Sequence, residues 1–167
     1  MSIGNEEVER VNNYKYLGII FDENLNWEFQ SSKVCSKLNQ RLFFLRKLRQ
    51  FNVDNTLLSL FFRSCIHSIY TFCVIAWGGN CSKKQTCKID SVIKRSSKII
   101  NSEQLLTFQS VYFDLCNKKL MSIMKDETYP LYNSITFSKL RANRLIHVKC
   151  RTSRFLNSFF PTAVRNF

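Results

Sequence analysis

The chain has 167 residues, 45% of them hydrophobic and including 15 Phe, 6 Tyr and 2 Trp, which is enough apolar surface for a packed core and excludes disorder throughout. It is too short for a multi-domain enzyme. Twenty-five Lys and Arg against 12 Asp and Glu give a net charge of +13, a balance that points to a polyanion such as nucleic acid or an anionic membrane.

Residues 14–21, Tyr-Lys-Tyr-Leu-Gly-Ile-Ile-Phe, are rich in β-branched and aromatic side chains and predict a strand. Leu17, Ile19 and Phe21 take one face, Tyr16 and Ile20 the other. A weaker partner strand is expected near residues 9–12. After Asp22-Glu23-Asn24 the pattern turns helical, with Val34, Leu38, Leu42 and Leu45 spaced by four, four and three so that they line one stripe. Lys33, Lys37 and Arg41 form a second stripe beside it, and Arg46, Lys47 and Arg49 extend the charge.

Asn52 and Asp54 offer an N-cap for a helix over residues 57–77, a stretch whose formal charge is Arg63 alone. That length would span a bilayer. A continuous polar stripe of Ser59, Arg63, Ser64, His67, Ser68 and Thr71 instead favours a central buried helix, ended by Gly78-Gly79-Asn80. A third helix is expected over residues 83–100, with Ile89, Val92, Ile93 and Ile100 inward and Lys84, Lys88, Lys94, Arg95 and Lys98 charged. A fourth follows near residues 109–124. From residue 128 onward the periodicity fades into an arm with seven basic residues and no acid. These are Lys139, Arg141, Arg144, Lys149, Arg151, Arg154 and Arg165. Phe155, Phe159 and Phe160 are expected to pack back onto the helices, because three rings exposed together would form an apolar patch.

The fold expected is therefore mainly α, a bundle of about four helices with a short N-terminal β-hairpin and a basic C-terminal arm. Residues 1–127 form the hairpin-plus-helix domain and residues 128–167 the arm. Four Gly and two Pro agree with long helices. The opening Met1-Ser2-Ile3-Gly4-Asn5-Glu6-Glu7 lacks an apolar signal segment and the seven cysteines are odd in number, so an intracellular protein, cytoplasmic or nuclear, with reduced thiols is expected. No Cys-x-x-Cys occurs, and the cysteines read as small buried apolar residues with no metal site.

Paired carboxylates for two-metal nucleotidyl transfer are absent, as are a His-x-Asp iron triad, a Gly-rich phosphate loop and a Gly-x-Ser-x-Gly elbow. Cys65 and His67, two apart on a helix, point to different faces and make no nucleophile pair. His67 reads as part of the polar stripe. Neither an enzyme nor a cofactor is expected. What the residues favour is non-sequence-specific binding of RNA or DNA by basic stripes with interleaved aromatics, with a structural remnant or protein-interaction domain as the alternative and no membrane partner. The candidate phosphate contacts are Lys33, Lys37, Arg41, Arg46, Lys47 and Arg49 on the first helix, and Lys139, Arg141, Arg144, Lys149, Arg151 and Arg154 in the arm.

Tyr14-Lys15-Tyr16-Leu17-Gly18-Ile19-Ile20-Phe21-Asp22 with Leu25-Asn26-Trp27, then Arg41-Leu42-Phe43-Phe44-Leu45-Arg46-Lys47-Leu48, Phe62-Arg63-Ser64-Cys65-Ile66-His67-Ser68-Ile69, Ala76-Trp77-Gly78-Gly79-Asn80-Cys81 and the tail from Arg154 to Ala163 resemble the end of the palm and the helical region after it in reverse transcriptases of non-LTR retrotransposons. That resemblance implies a catalytically empty fragment without the Asp-bearing palm, with Tyr16, Leu17 and Gly18 on a primer-grip hairpin and the first helix in the thumb. The same stretch resembles the domain named after the N-terminus of AlkB homologue eight, a family joining a 2-oxoglutarate dioxygenase to a tRNA methyltransferase. This second resemblance implies an accessory domain without iron or methyl-donor sites.

Overall fold

The computed structural model describes residues 2–3, 6–7, 9–102, 106–137 and 145–167. Among them the protein is mainly α-helical with short antiparallel hairpins at its N-terminal end. Strands β1 (Ser2–Ile3) and β2 (Glu6–Glu7) pair with each other, and β3 (Asn13–Tyr16) pairs with β4 (Ile19–Asp22) in the register Tyr14↔Phe21 and Tyr16↔Ile19. The single strand expected over residues 14–21 is thus folded in two. Leu17 (φ 46°) and Gly18 (φ 89°) both take positive φ, the geometry of a two-residue type I′ hairpin turn whose twist matches its strands. The partner of β4 is the first half of the same apolar run, not residues 9–12, which contribute one ladder bond from Glu23 N to the Asn12 carbonyl.

Helix α1 (Glu28–Gln50) buries Val34, Leu38, Leu42 and Leu45, the stripe that the spacing predicts. Each such leucine contributes roughly 1.5–3 kcal/mol by leaving water. Asn52 ends the helix in the left-handed region, with Asn52 N–H donating to Arg49 O and Val53 N–H to Leu48 O, a Schellman motif. Asp54 then caps α2 (Asn55–Phe61) by accepting from Thr56 N–H at 2.8 Å.

The expected helix over residues 57–77 is not one rod. α2 continues through a π-helical stretch, Phe62–His67, into α3 (Ser68–Thr71). The chain then breaks at Phe72 (ψ 114°) and Cys73 (φ 48°) before α4 (Val74–Trp77) and a 3-10 turn, Gly78–Asn80. Nor is it centrally buried: Leu58, Ile66, Tyr70, Val74 and Trp77 face the core, while Leu57 and Leu60 are 56% and 61% exposed. By length and composition alone the segment Asn55–Asn80, of mean hydropathy 1.5, could cross a membrane.

Helix α5 (Lys83–Ile99) opens with a Ser82–Gln85 capping box and lies along α1, burying Ile89, Val92 and Ile93. Its Asp90 reaches Phe108 N–H at 2.7 Å and so fixes the start of α6 (Phe108–Met124). Past residue 137 the chain returns at Leu145, which is buried against the same core, and ends in α7 (Ser153–Leu156) and α8 (Phe159–Asn166). α8 packs on α6 through Ala163 and Val164. Phe159 and Phe160 pack against the core as the sequence predicts, whereas Phe155 stays exposed.

Two sequence motifs meet at this junction. The buried Trp77 indole donates to Phe72 O at 3.1 Å across the helix break. A Cβ on Gly79 would lie 1.9 Å from the Asn157 carbonyl oxygen and 2.4 Å from the Tyr112 hydroxyl, so only glycine admits the C-terminal segment here. Asn80 Nδ2 donates to Arg154 O and the Tyr112 hydroxyl to Asn157 O, completing the seam.

The cysteines depart from the uniform burial expected of them. Cys35 and Cys116 are buried, whereas Cys73 and Cys87 are exposed. All seven are free.

Gly79→Ala should cost about 1–3 kcal/mol in denaturant unfolding, because backbone rather than a flexible side chain must move. Burial raises the Cys81 thiol to about 12, the Cys116 thiol to about 11, and the Cys35 thiol and the Tyr70 and Tyr112 hydroxyls above their ordinary values. These groups are neutral in the fold while the unfolded chain ionises near its ordinary thiol value of 9.0. Their contribution to stability is therefore complete below about pH 9 and declines as pH rises toward 12. Melting temperatures across pH 7–12 should be level first and then fall, and a melting temperature still level at pH 11 would contradict this.

Candidate nucleic-acid interface

The interface is built on one corner of the chain. Asp22, buried at the end of β4, accepts Asn24 N–H and Asn26 N–H on Oδ1, each at 3.1 Å, and Trp27 N–H on Oδ2 at 3.0 Å. This reverses the chain over five residues and sets Trp27, in the left-handed region (φ 63°), against Phe21 at 5.4 Å between ring centroids. Gln30, one turn into α1, accepts Ile20 N–H at 3.0 Å. The β3–β4 hairpin is thereby held beside the first turns of α1.

Two rows of side chains follow on α1. Lys33, Lys37, Arg41 and Phe44 recur at spacings of four, four and three, one residue ahead of the buried stripe all the way along. Gln40, Phe43 and Lys47 form the adjacent row. All of these are exposed except the half-buried Lys33. The structure therefore brings together four of the six predicted α1 cations. Arg46 projects from the opposite flank of the buried stripe, beside Asn39, and Arg49 falls in line with the buried leucines, where its guanidinium donates to Asn55 Oδ1 at 2.9 Å.

The hairpin turn reaches the same face. A cleft of about 420 Å³ is lined by Gly18, Gln30, Lys33, Lys37, Ser68 and Phe72. A Cβ at Gly18 would stand 3.4 Å from the Phe72 ring. Lys15 on β3 is close enough that, with burial first and Lys37 after it, it pushes the Lys33 ammonium below the ordinary lysine value. Among the described residues the ion pairs are Arg10–Glu23 and Lys118–Asp114, so no carboxylate lies within salt-bridge reach of Lys15, Lys33, Lys37, Arg41 or Lys47. Lys15 and Lys37 both repel the Lys33 ammonium, and with no ion pair to a carboxylate among the described residues the three form a site that a polyanion stabilises by approaching.

Tyr16, Leu17 and Gly18, grouped in sequence by their resemblance to a primer grip, lie at the hairpin turn, with Leu17 76% exposed at its tip. Phe72, which lines the cleft, and Lys15, which acts on Lys33 from β3, carry no signal in the sequence: one is a ring inside a long apolar run, the other a lone lysine in an apolar strand. Lys139, Arg141 and Arg144 lie outside the described residues. Lys149, Arg151 and Arg154 are exposed on the segment that docks against α6 and Gly79, apart from the α1 rows.

Over residues 27–68 the chain matches a family model. Its description is Alkylated DNA repair protein alkB homolog 8, N-terminal. The matched stretch is about a quarter of the chain, runs from Trp27 through α1 and α2 to the end of the π-helical stretch, and contains both rows. No curated protein and no solved structure matches the chain, and none of these comparisons supports the likeness to a retrotransposon reverse transcriptase.

No group of three or more His, Cys, Asp or Glu among the described residues is placed to hold a metal. His67 is half-buried, packs edge-on to Tyr70 at 5.0 Å, and is pushed below its ordinary value by burial and by Arg63. Beside it Ser64, Ser68 and Thr71 return their hydroxyls to backbone carbonyls one turn back. Three hydroxyls of the polar stripe are therefore satisfied by the helix backbone itself.

Asp22→Ala should lower stability by about 2–4 kcal/mol, since three N–H groups lose a charged acceptor and that of Trp27 is buried. Asp22→Asn, which keeps one acceptor oxygen, should recover part of the loss in the same unfolding measurement.

Proposed function

We propose that this protein is a catalytically empty accessory module that binds RNA or DNA without reading sequence. The observation that carries this is the α1 face. Lys33, Lys37, Arg41 and Lys47 stand with Lys15 on one side of the molecule, among exposed rings, and none of them is ion-paired to a carboxylate of the described residues. Such a surface, made mainly of cations, neutralises phosphates, and phosphate contacts carry no sequence information. The match to an alkB homolog 8 N-terminal domain over the same helix supports an accessory role, because the matched residues carry neither a metal cluster nor a phosphate loop. The module works beside catalytic machinery held elsewhere, and no reaction step is assigned to its own side chains.

One observation favours descent from a retrotransposon reverse transcriptase as the origin of this surface. The Tyr16-Leu17-Gly18 turn stands against Phe72 and next to the basic helix, the arrangement that a primer-grip hairpin beside a thumb implies.

If five phosphates are engaged on a single strand, at roughly 0.7 counterions released per contact, log K should fall against log salt with a slope of about −3.5. Fluorescence anisotropy with oligonucleotides of unrelated sequence should give one slope and similar affinities. Lys33→Gln with Lys37→Gln should flatten it by about 1.4. A change confined instead to Lys149→Gln, Arg151→Gln and Arg154→Gln would move the surface to the C-terminal segment, and no binding at 50 mM salt would end the reading.

A further inference from the structure

The α1 face carries more than charge. Phe43 and Phe44 are 54% and 47% exposed at successive positions, on the same two rows as the cations. Their ring centroids lie 5.8 Å apart at an interplanar angle of 69°, an edge-to-face pair in which the edge of one ring meets the other and the two are not stacked face to face. Each ring has a cation over it: the Arg41 guanidinium 5.9 Å from the Phe44 centroid and the Lys47 ammonium 5.8 Å from that of Phe43. Both rings remain about half exposed, so each keeps ring surface open to solvent beside its cation. Cation–ring contacts at this range hold both partners in place at an exposed site.

We infer that this face selects single-stranded over double-stranded nucleic acid, with Phe43 and Phe44 as stacking platforms for unpaired bases and Lys33, Lys37, Arg41 and Lys47 on the flanking phosphates. The inference rests on the nucleic-acid reading above and sharpens it. In a duplex the base faces are covered by their neighbours, so two exposed rings gain nothing there and lysines alone would serve. An unpaired strand offers a π-face at every base whatever its identity. The four cations span about 21 Å of helix at 1.5 Å per residue, a run that follows several nucleotides, and the rings fall at its C-terminal end between Arg41 and Lys47. Phosphates on both sides of a stacked base are then within reach of a cation.

The test compares an oligothymidylate with a blunt duplex of equal length, by anisotropy at 100 mM salt, for the full chain and for Phe43→Leu with Phe44→Leu. Leucine retains helix propensity and apolar character while removing the π-face, and circular dichroism of the variant checks that the fold persists. The expected result is tighter binding of the single strand by the native chain, lost by about tenfold or more in the variant, with duplex affinity and salt slope unchanged. Should the double variant unfold, Phe43→Leu and Phe44→Leu singly supply the same comparison. Equal affinity for both ligands, or a single-strand affinity that the leucines leave intact, overturns this inference while leaving phosphate binding in place. Loss of binding to both ligands in the native chain overturns the nucleic-acid reading itself.

Discussion

Everything on the basic side of the molecule depends on one carboxylate. Asp22 takes three backbone N–H groups from the next five residues, and without that acceptor the corner between β4 and α1 would leave the buried Trp27 N–H unsatisfied. The corner sets the direction of α1, and Gln30 then ties α1 back to Ile20. Lys15 and Lys33 come from different elements, and their mutual repulsion exists because this corner puts them on one face. An electrostatic surface built by a structural hydrogen-bond cage has a definite shape, which a charge count does not convey.

A second junction plays the same part at the other end. Gly79 gives up a side chain so that Asn157 and Tyr112 can close on the chain, and the C-terminal segment thereby joins the core through Leu145, Ala163 and Val164. The Asp22–Trp27 corner and the Trp77–Gly79 turn are thus sites of close backbone approach. Their residue types are explained by packing and by hydrogen bonding to the main chain, without any chemistry performed on a ligand.

How much of this was legible follows from which forces act locally. Val34, Leu38, Leu42 and Leu45 mark the buried side of α1, and Ile89, Val92 and Ile93 that of α5, because a helix buries whatever its period repeats. The cations at Lys33, Lys37 and Arg41 share their row for the same reason. Leu17 was unreadable as a turn residue, since leucine has no preference for positive φ and Gly18 alone is a weak hint. The break at Phe72 and Cys73 carries neither Gly nor Pro. It is fixed by tertiary contacts, among them the Trp77 indole bond to the Phe72 carbonyl. Arg49 reads as part of the basic run until its bond to Asn55 turns it toward the next helix. Lys15 comes near Lys33, and Phe72 lines the cleft, only through the meeting of hairpin and helix, which no local pattern encodes.

The break at Phe72 and Cys73 also limits what the apolar segment Asn55–Asn80 can be as a rigid body. Its hydropathy and length are those of a bilayer-spanning rod. As folded, the continuous axis ends at Thr71, so residues 55–80 do not lie along one line. Straightening it would break the indole bond of Trp77 and pull that side chain from its place against Phe108, so the same bend that completes the core keeps the segment shorter end to end than its residue count implies.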